Sequence, residues 1–375
     1  MYNKAIGIIS TNYQVTGLGT LSTARPAGVI PFGGRYRLID FALSSMVNSG
    51  ISTVGIITPY WFRPVLDHIG SGKAWNLDRK KGGLFFLPGP VPDLQLRIHK
   101  FCIKDFAANI EYLSCSDSKY VVISGCNHVC NMDYREMIEE HERSGADVTL
   151  ACKLKPAGNP IITAWVKGDK EGRVTAIVLP STMEAYSGNQ ESYHFADTYI
   201  INRERLIQII EHCENMEFTS LLDVIASNLN TFHVRISALK GYWETINSLA
   251  DYYKCSMDLL NHTIREELFM GELGIQTRVK DNPSTQYGVQ AQVCDSLVSS
   301  GCRIEGEVTG SILFRGVTVE AGASVKNCII MQKGIVSQDA VLENVICDKE
   351  VYISKGAMVK GQGYTPLLLS KKTRV

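Results

Sequence analysis

Apolar and polar positions follow two different rhythms along this chain of 375 residues. In the first half, short apolar runs bounded by polar or turn residues read as strands: 4–10 (KAIGIIS), 52–58 (STVGIIT), 120–125 (YVVISG) and 147–154 (DVTLACKL). Between them, Arg37–Asn48 and Asp133–Gly145 space their apolar residues as helices do, with Asp133 suited to cap the second and Gly145 to end it. Strand–helix alternation predicts an α/β domain whose mostly parallel sheet is covered on both faces. Such sheets take ligands beyond the carboxyl ends of their strands, so chemistry is expected after Ser10 and after Gly125. Residues 70–98, rich in Gly and Pro, read as a long loop packed over that site, with Asp78-Arg79-Lys80-Lys81 as its solvated tip.

The second rhythm occupies the last ninety or so residues. Every sixth position from Val317 is apolar: Val317, Ala323, Ile329, Ile335, Val341, Cys347, Ile353 and Val359. The residue before each of the first five is small: Gly316, Gly322, Cys328, Gly334 and Ala340. A period of six fits neither a helix nor a simple sheet. It fits a β-helix, where each flat side contributes an inward side chain and a small residue eases the corner. Ordinary hairpins are the competing reading. Val298 and Ile304 hint at an earlier coil in a shifted register. The expected organisation is an α/β domain over 1–262, a linker over 263–292 and a β-helix over 293–375.

Composition narrows the function classes. Lys+Arg and Asp+Glu both number 38, giving a net charge of zero, which argues against nucleic acid held by bulk electrostatics. No apolar stretch is long enough for a membrane helix, and Met1–Ser10 lacks the features of a secretory signal. The 11 cysteines therefore read as reduced thiols of a cytoplasmic protein. Cys126, His128 and Cys130 have suggestive spacing, but no second Cys/His pair nearby completes a zinc site.

One segment carries a family signature. Pro31-Phe32-Gly33-Gly34-Arg35-Tyr36-Arg37-Leu38-Ile39-Asp40-Phe41, continuing to Asn48-Ser49-Gly50-Ile51, resembles the start of bacterial ADP-glucose pyrophosphorylases (glucose-1-phosphate adenylyltransferases). His68-Ile69-Gly70-Ser71-Gly72, Gly241-Tyr242-Trp243 and the run from Asp281 to Gly288 extend the match over nearly the whole chain. The resemblance implies a Rossmann-like nucleotidyltransferase domain followed by a left-handed parallel β-helix of hexapeptide repeats. It also implies the reaction of ATP with glucose 1-phosphate to give ADP-glucose and diphosphate, for glycogen synthesis.

Nucleotidyl transfer needs a glycine-rich phosphate cradle, cations, and carboxylates that hold Mg²⁺. Set against the family pattern, each element fails. Ser10-Thr11-Asn12-Tyr13-Gln14 stands where the glycine-rich loop belongs; in Gly17-Leu18-Gly19-Thr20, a displaced version, Leu21 takes the place of the phosphate-binding Arg. Phe101-Cys102-Ile103 replaces the family's Gly-Thr-Ala loop, and Val178-Leu179-Pro180 replaces its Glu-Lys-Pro. Asn127 stands at the first metal-binding Asp and Thr245 at the second. Losing both carboxylates removes the ion that bridges the phosphates.

The expectation is a catalytically degenerate, regulatory subunit without a cofactor. It would assemble with a catalytic paralogue as a heterotetramer, with homo-oligomers possible in isolation. Arg25, Arg35, Arg37 and Arg97 are the candidates for binding a sugar-phosphate effector, since guanidinium groups suit bidentate phosphate contacts. In the family the Arg matching Arg37 lies near an activator site between the domains. The bland reading of Arg35 and Arg37 is an ion pair with Asp40 or with interdomain carboxylates. Three alternatives stand beside this one. A working Mg²⁺-dependent adenylyltransferase would use Glu244 as a relocated ligand. A sugar-phosphate sensor would act outside this pathway. A hexapeptide acyltransferase is disfavoured, because the last His, His262, precedes the repeat.

Overall fold

In the computed structural model of the chain, the described residues are 4–23, 25–89, 100–155, 163–179, 192–213, 219–271, 273–362 and 365–375. The amino-terminal sheet runs in the order Val174–Val178, Trp165–Gly168, Ser192–Asn202, Tyr120–Ser124, Ala5–Ser10, Thr53–Thr58 and Gly83–Pro88, with Val148–Lys155 and Val234–Ala238 joined on through Ser192–Asn202. Ala5–Ser10 pairs in parallel with both neighbours, and Val148–Lys155 with Val234–Ala238. Ser192–Asn202 runs antiparallel to everything it touches, so the sheet is mixed rather than mostly parallel. Its apolar alternation breaks at Asp197, which sits in a bulge with φ of 50° and hides the strand from a periodicity reading.

Both faces of the sheet are buried, and the strand period shows how. Ala5 and Ile9 point into one apolar cluster while Ile6 and Ile8 point into the other; Tyr120 and Val122 oppose Val121 and Ile123 in the same way. Helix Leu38–Asn48 packs on the first face, and Asp40 in its opening turn accepts a hydrogen bond from the Arg37 backbone N–H at 2.9 Å. Helix Tyr134–Ser144 starts at Asp133, whose side chain accepts from the Arg135 N–H, and ends at Gly145 with φ of 61°. The long loop expected over 70–98 contains more order than its composition suggests. Trp75 anchors a short 3-10 turn in the core, and Gly83–Pro88 is an edge strand paired with Thr53–Thr58. Asp78-Arg79-Lys80-Lys81 is an exposed tip, and 90–98 lie outside the described residues.

The segment 263–292 holds the helix His262–Phe269 and the first strands of the next domain, Gln286–Tyr287 among them. From there three sheets of five parallel strands each form a left-handed β-helix. Thr318 pairs with Ile335 and Ile335 with Tyr352, which fixes these middle coils at 17 residues, one short of three hexads, whereas the circuit from Arg303 to Thr318 takes 15. The inward residues accordingly fall at steps of six, six and five: Val319, Val325, Ile330, Val336, Leu342, Cys347, Ile353 and Val359 are all buried. A strict count of six drifts across this pattern. Ile335 and Val341 come out half-exposed, and Ile329 faces outward against the other domain. The corners repeat at the same interval, with left-handed backbone at Gly316, Lys333 and Glu350 and at Gly322, Asp339 and Gly356.

The two domains share one core. Ile312, Phe314, Ile329, Met331 and Ile346 on one face of the β-helix belong to the same apolar cluster as Leu21, Phe32 and Tyr252. Polar contacts reinforce the junction: Tyr253 Oη donates to the Asn327 carbonyl at 2.8 Å, and Arg315 to the Arg35 carbonyl at 2.7 Å.

Candidate functional site

The carboxyl ends of Ala5–Ser10 and Tyr120–Ser124 meet in a cleft, and side chains fill it. Thr11, Asn12 and Tyr13 are buried, with Thr11 Oγ1 donating to the Ile57 carbonyl at 2.8 Å and Asn12 Nδ2 to Asp105 Oδ1 at 3.0 Å. Backbone amides in such a segment cannot line up on a triphosphate. Gly17 lies so close to the Asn247 carbonyl that a Cβ there would collide with it, and Leu21 is completely buried in the shared core. Gly17 thus serves close packing. Phe101 and Ile103 are packed into the second core, Phe101 edge-on to Tyr199 at 5.0 Å. Val178 ends its strand and Leu179 packs against that core, while Pro180 lies outside the described residues.

Asn127 and Thr245, the two positions that the resemblance sets against metal-binding Asp residues, do come together. His128–Cys130 and Trp243–Thr245 form a two-stranded ribbon that pairs Thr245 with His128, and the Ile246 N–H donates to the Asn127 carbonyl at 2.7 Å. Asn127 is fully buried and fully used. Its Nδ2 donates to the Ile246 carbonyl at 3.0 Å and to Asn247 Oδ1 at 2.8 Å. Its Oδ1 accepts from Tyr13 Oη at 2.9 Å and from Lys100 Nζ at 3.1 Å. Lys100 Nζ also donates to Asp197 Oδ2 and lies 5.5 Å from the centre of the Tyr13 ring. Thr245 Oγ1 and both His128 ring nitrogens are buried without a hydrogen-bond partner.

These residues do not fit a divalent cation. Mg²⁺ requires several oxygen ligands, carboxylates among them, and the Asn127 oxygen already accepts two hydrogen bonds. Among the described residues no three His, Cys, Asp or Glu side chains converge as a metal site. Burial pushes the Cys126 thiol up to about 12, against the pull of Tyr13, so it offers no thiolate, and lowers His128 to about 4, so the imidazole stays neutral. Glu244 is no replacement. It neighbours Thr245 on a strand and therefore points to the opposite face, where it pairs with Lys155 at 2.9 Å and Lys254 at 3.1 Å. Burial raises its carboxyl, but the two ammonium groups outweigh burial and hold it below the ordinary range.

A second site lies between the domains. Arg25, Arg37, Lys349 and Lys371 line a pocket of about 240 Å³ with Asp67, Val29 and Pro64. Arg25 is buried and paired with the buried Asp348 of the β-helix, yet its Nη1 has no hydrogen-bond partner. Arg37 donates to the Pro64 carbonyl at 3.2 Å. The alternative reading, an ion pair with Asp40, is not seen: Asp40 Oδ1 is 2.5 Å from His68 Nε2 and Oδ2 accepts from the Arg37 backbone N–H. Burial lowers Arg37 to about 10 and Lys349 to about 8, with the neighbouring cations adding to the effect. Such mutual repulsion is relieved by a bound anion.

Arg35 stays out of this pocket: it is exposed, with its guanidinium 5.4 Å over the Tyr36 ring. Arg97 lies outside the described residues. Lys349 and Lys371 were invisible to motif reading, since nothing local ties them to residues more than three hundred positions away. A wider groove of about 1070 Å³ along Gly83–Pro88 and Ile110–Ser114 is lined by Glu111 and Asp117 and, among the described residues, by no cation, which disfavours it for phosphates. No helix among the described residues is long and apolar enough to cross a membrane, and all 11 cysteines are free thiols.

Comparison with known proteins agrees with this architecture. Residues 15–262 match the family model described as nucleotidyl transferase, and residues 282–363 match the one described as GlmU-like, C-terminal hexapeptide. The glycogen biosynthesis protein GlgD of Bacillus subtilis (strain 168) is 34% identical over 98% of this chain and 96% of its own length. Its namesake from Geobacillus stearothermophilus is 35% identical over 87% of this chain and 84% of its own length. Glucose-1-phosphate adenylyltransferase of Bacillus cereus (strain Q1) is 30% identical over 91% and 90%. With its sheet, its hexapeptide coils and these relatives spanning most of its length, the chain belongs to the nucleotidyl transferase family, among the glucose-1-phosphate adenylyltransferases and the glycogen biosynthesis proteins related to them.

Proposed function

We propose that this chain acts in glycogen synthesis as the regulatory, catalytically degenerate partner of a glucose-1-phosphate adenylyltransferase. The observation that carries the reading is the cleft: Asn127 and Thr245 are buried, bring no negative charge, and sit in a set of side chains that does not fit Mg²⁺. Without that ion, most of the charge stabilisation that nucleotidyl transfer depends on is gone. No cofactor is assigned. The interdomain pocket of Arg25, Arg37, Lys349 and Lys371 supports binding of a sugar-phosphate effector, and its position lets occupancy bear on both domains at once.

Assembly with a catalytic paralogue into a heterotetramer in the cytoplasm follows from this role, and the isolated chain would form homo-oligomers. The test is an ADP-glucose assay with Mg²⁺ on the chain alone, on the paralogue alone and on the mixture. The expected result is no turnover by this chain and a changed response of the paralogue to sugar phosphates in the mixture. Turnover by the isolated chain, lost in Glu244→Ala, would establish the active alternative. Co-purification without any nucleotidyltransferase would favour a free-standing sugar-phosphate sensor, the reading that the pocket alone also supports.

A further inference from the structure

The cleft contains a cation of its own. Lys100 enters it from the segment ahead of helix Ile103–Ala107, and its backbone is pinned there because Ser10 Oγ donates to the Lys100 carbonyl at 2.7 Å. An ammonium group has three protons to direct and no lone pair. Here Nζ is directed to Asn127 Oδ1 at 3.1 Å and to the Asp197 carboxylate, with the Tyr13 ring 5.5 Å away. Asn127 stands at the carboxyl end of Tyr120–Ser124, and Asp197 on the strand alongside, where its carbonyl accepts from the Gly125 N–H at 2.9 Å. The Lys100 side chain is 19% exposed and that of Asp197 8%.

We infer that the Lys100 ammonium is a tethered cation that takes the place of the divalent metal in this cleft, held by Asn127 Oδ1 and Asp197 and excluding an added ion. The inference rests on the reading that Asn127 stands at a former metal position. Three features make it more than a chance ion pair. The ammonium contacts the same oxygen that a metal at Asn127 would need, so the two occupants are mutually exclusive. The anion that balances it, Asp197, is held in the bulge at φ of 50°, a left-handed conformation that carries a cost for a residue with a Cβ. Finally, Asn127 is suited to the occupant. A carboxylate in its place would add a second buried negative charge and attract a divalent ion, whereas the neutral amide leaves the single positive charge of Lys100 matched by Asp197 alone.

The test titrates Mn²⁺ into the full chain, following free Mn²⁺ by electron paramagnetic resonance and the melting temperature in parallel. The variants are Asn127→Asp, Asn127→Asp/Lys100→Met and Asn127→Asp/Lys100→Gln, the last retaining hydrogen bonding if the apolar replacement folds poorly. Wild-type protein should bind no Mn²⁺. Either double variant should bind it at least about tenfold more tightly than Asn127→Asp alone, and Mn²⁺ should raise its melting temperature. Equal binding by the single and double variants, binding by the wild type, or no binding by folded double variants would each overturn the inference. Failure here is separable from failure of the proposed function. A wild-type chain that makes no ADP-glucose can still fail the Mn²⁺ titration, and a chain that makes it refutes the regulatory reading whatever the titration gives.

Discussion

The cleft and the interdomain pocket hold similar side chains in opposite electrostatic states. In the cleft, Lys100 is matched by Asp197, Asn127 spends every hydrogen-bonding group internally, and Tyr13 fills the space between. In the pocket, Arg25, Arg37, Lys349 and Lys371 face Asp67 across about 240 Å³ of open volume. One site has completed its own charge balance, and the other needs an anion to do so. A buried carboxylate offsets much of the desolvation cost of a buried cation, whereas surplus cations around open volume are kept at a cost in stability. On the proposed reading, that contrast is what distinguishes the degenerate cleft from the effector pocket.

The largest effect should come from the junction between the two domains. Arg25→Ala leaves Asp348, 1% exposed, as an uncompensated buried carboxylate. Urea unfolding should show a loss of about 3–5 kcal/mol, the usual cost of stripping one partner from a buried pair. A loss below 1 kcal/mol would mean that Arg25 is not committed to the β-helix, and the contrast with the cleft would weaken.

Arg37→Gln should do the reverse. Its guanidinium pairs with no carboxylate and, among the described residues, donates to the Pro64 carbonyl, so unfolding should change little. Binding of a sugar phosphate, read as a thermal shift, should weaken by about tenfold or more, as befits a lost charge-assisted contact. Undiminished binding would remove the pocket from consideration as an effector site.

The smallest effect is a proton count. Lys349 is lowered to about 8, mainly by burial and then by Arg37 and Arg25, while the unfolded chain keeps the ordinary lysine value of about 10.4. Between those values the unfolded state holds more protons, so this group's destabilising contribution is full below about pH 8 and fades as pH rises toward 10. An anion in the pocket favours the charged form. Binding near pH 8.5 should therefore take up protons, seen as a dependence of calorimetric heat on buffer ionisation enthalpy, and affinity should fall as pH rises through this window. Heats independent of buffer would place Lys349 outside the site.

Local patterns in the sequence carried the sheet's central strands and the helix framed by Asp133 and Gly145, because period and cap are properties of neighbouring residues. The hexapeptide rhythm was equally legible as a fold, but its register was not. Coils of 17 residues move the inward position one place per turn, and no local signal distinguishes inward Ile330 from outward Ile329. Ser192–Asn202 escaped notice because Asp197 interrupts its apolar run. Arg25 and Arg37 were within reach of motif reading, whereas Lys349, Lys371, Lys100 and Asp197 were not, since only the assembled fold brings them to their partners. Arg35 precedes the short strand Tyr36–Arg37 in a turn and lies exposed over the Tyr36 ring, away from the pocket that Arg37 lines, a difference that the motif alone does not carry.

The coil length also constrains how this half of the molecule can evolve. A deletion or insertion of one residue inside a coil would turn buried columns such as Val319, Val336 and Ile353 toward water and displace the corner residues with positive φ. Removing or duplicating a whole turn keeps every stack in step. Natural variation in the length of this region should therefore fall at the corners, as the shorter circuit from Arg303 to Thr318 illustrates, and a spacer or tag engineered here should be placed at a corner or added as a complete extra rung.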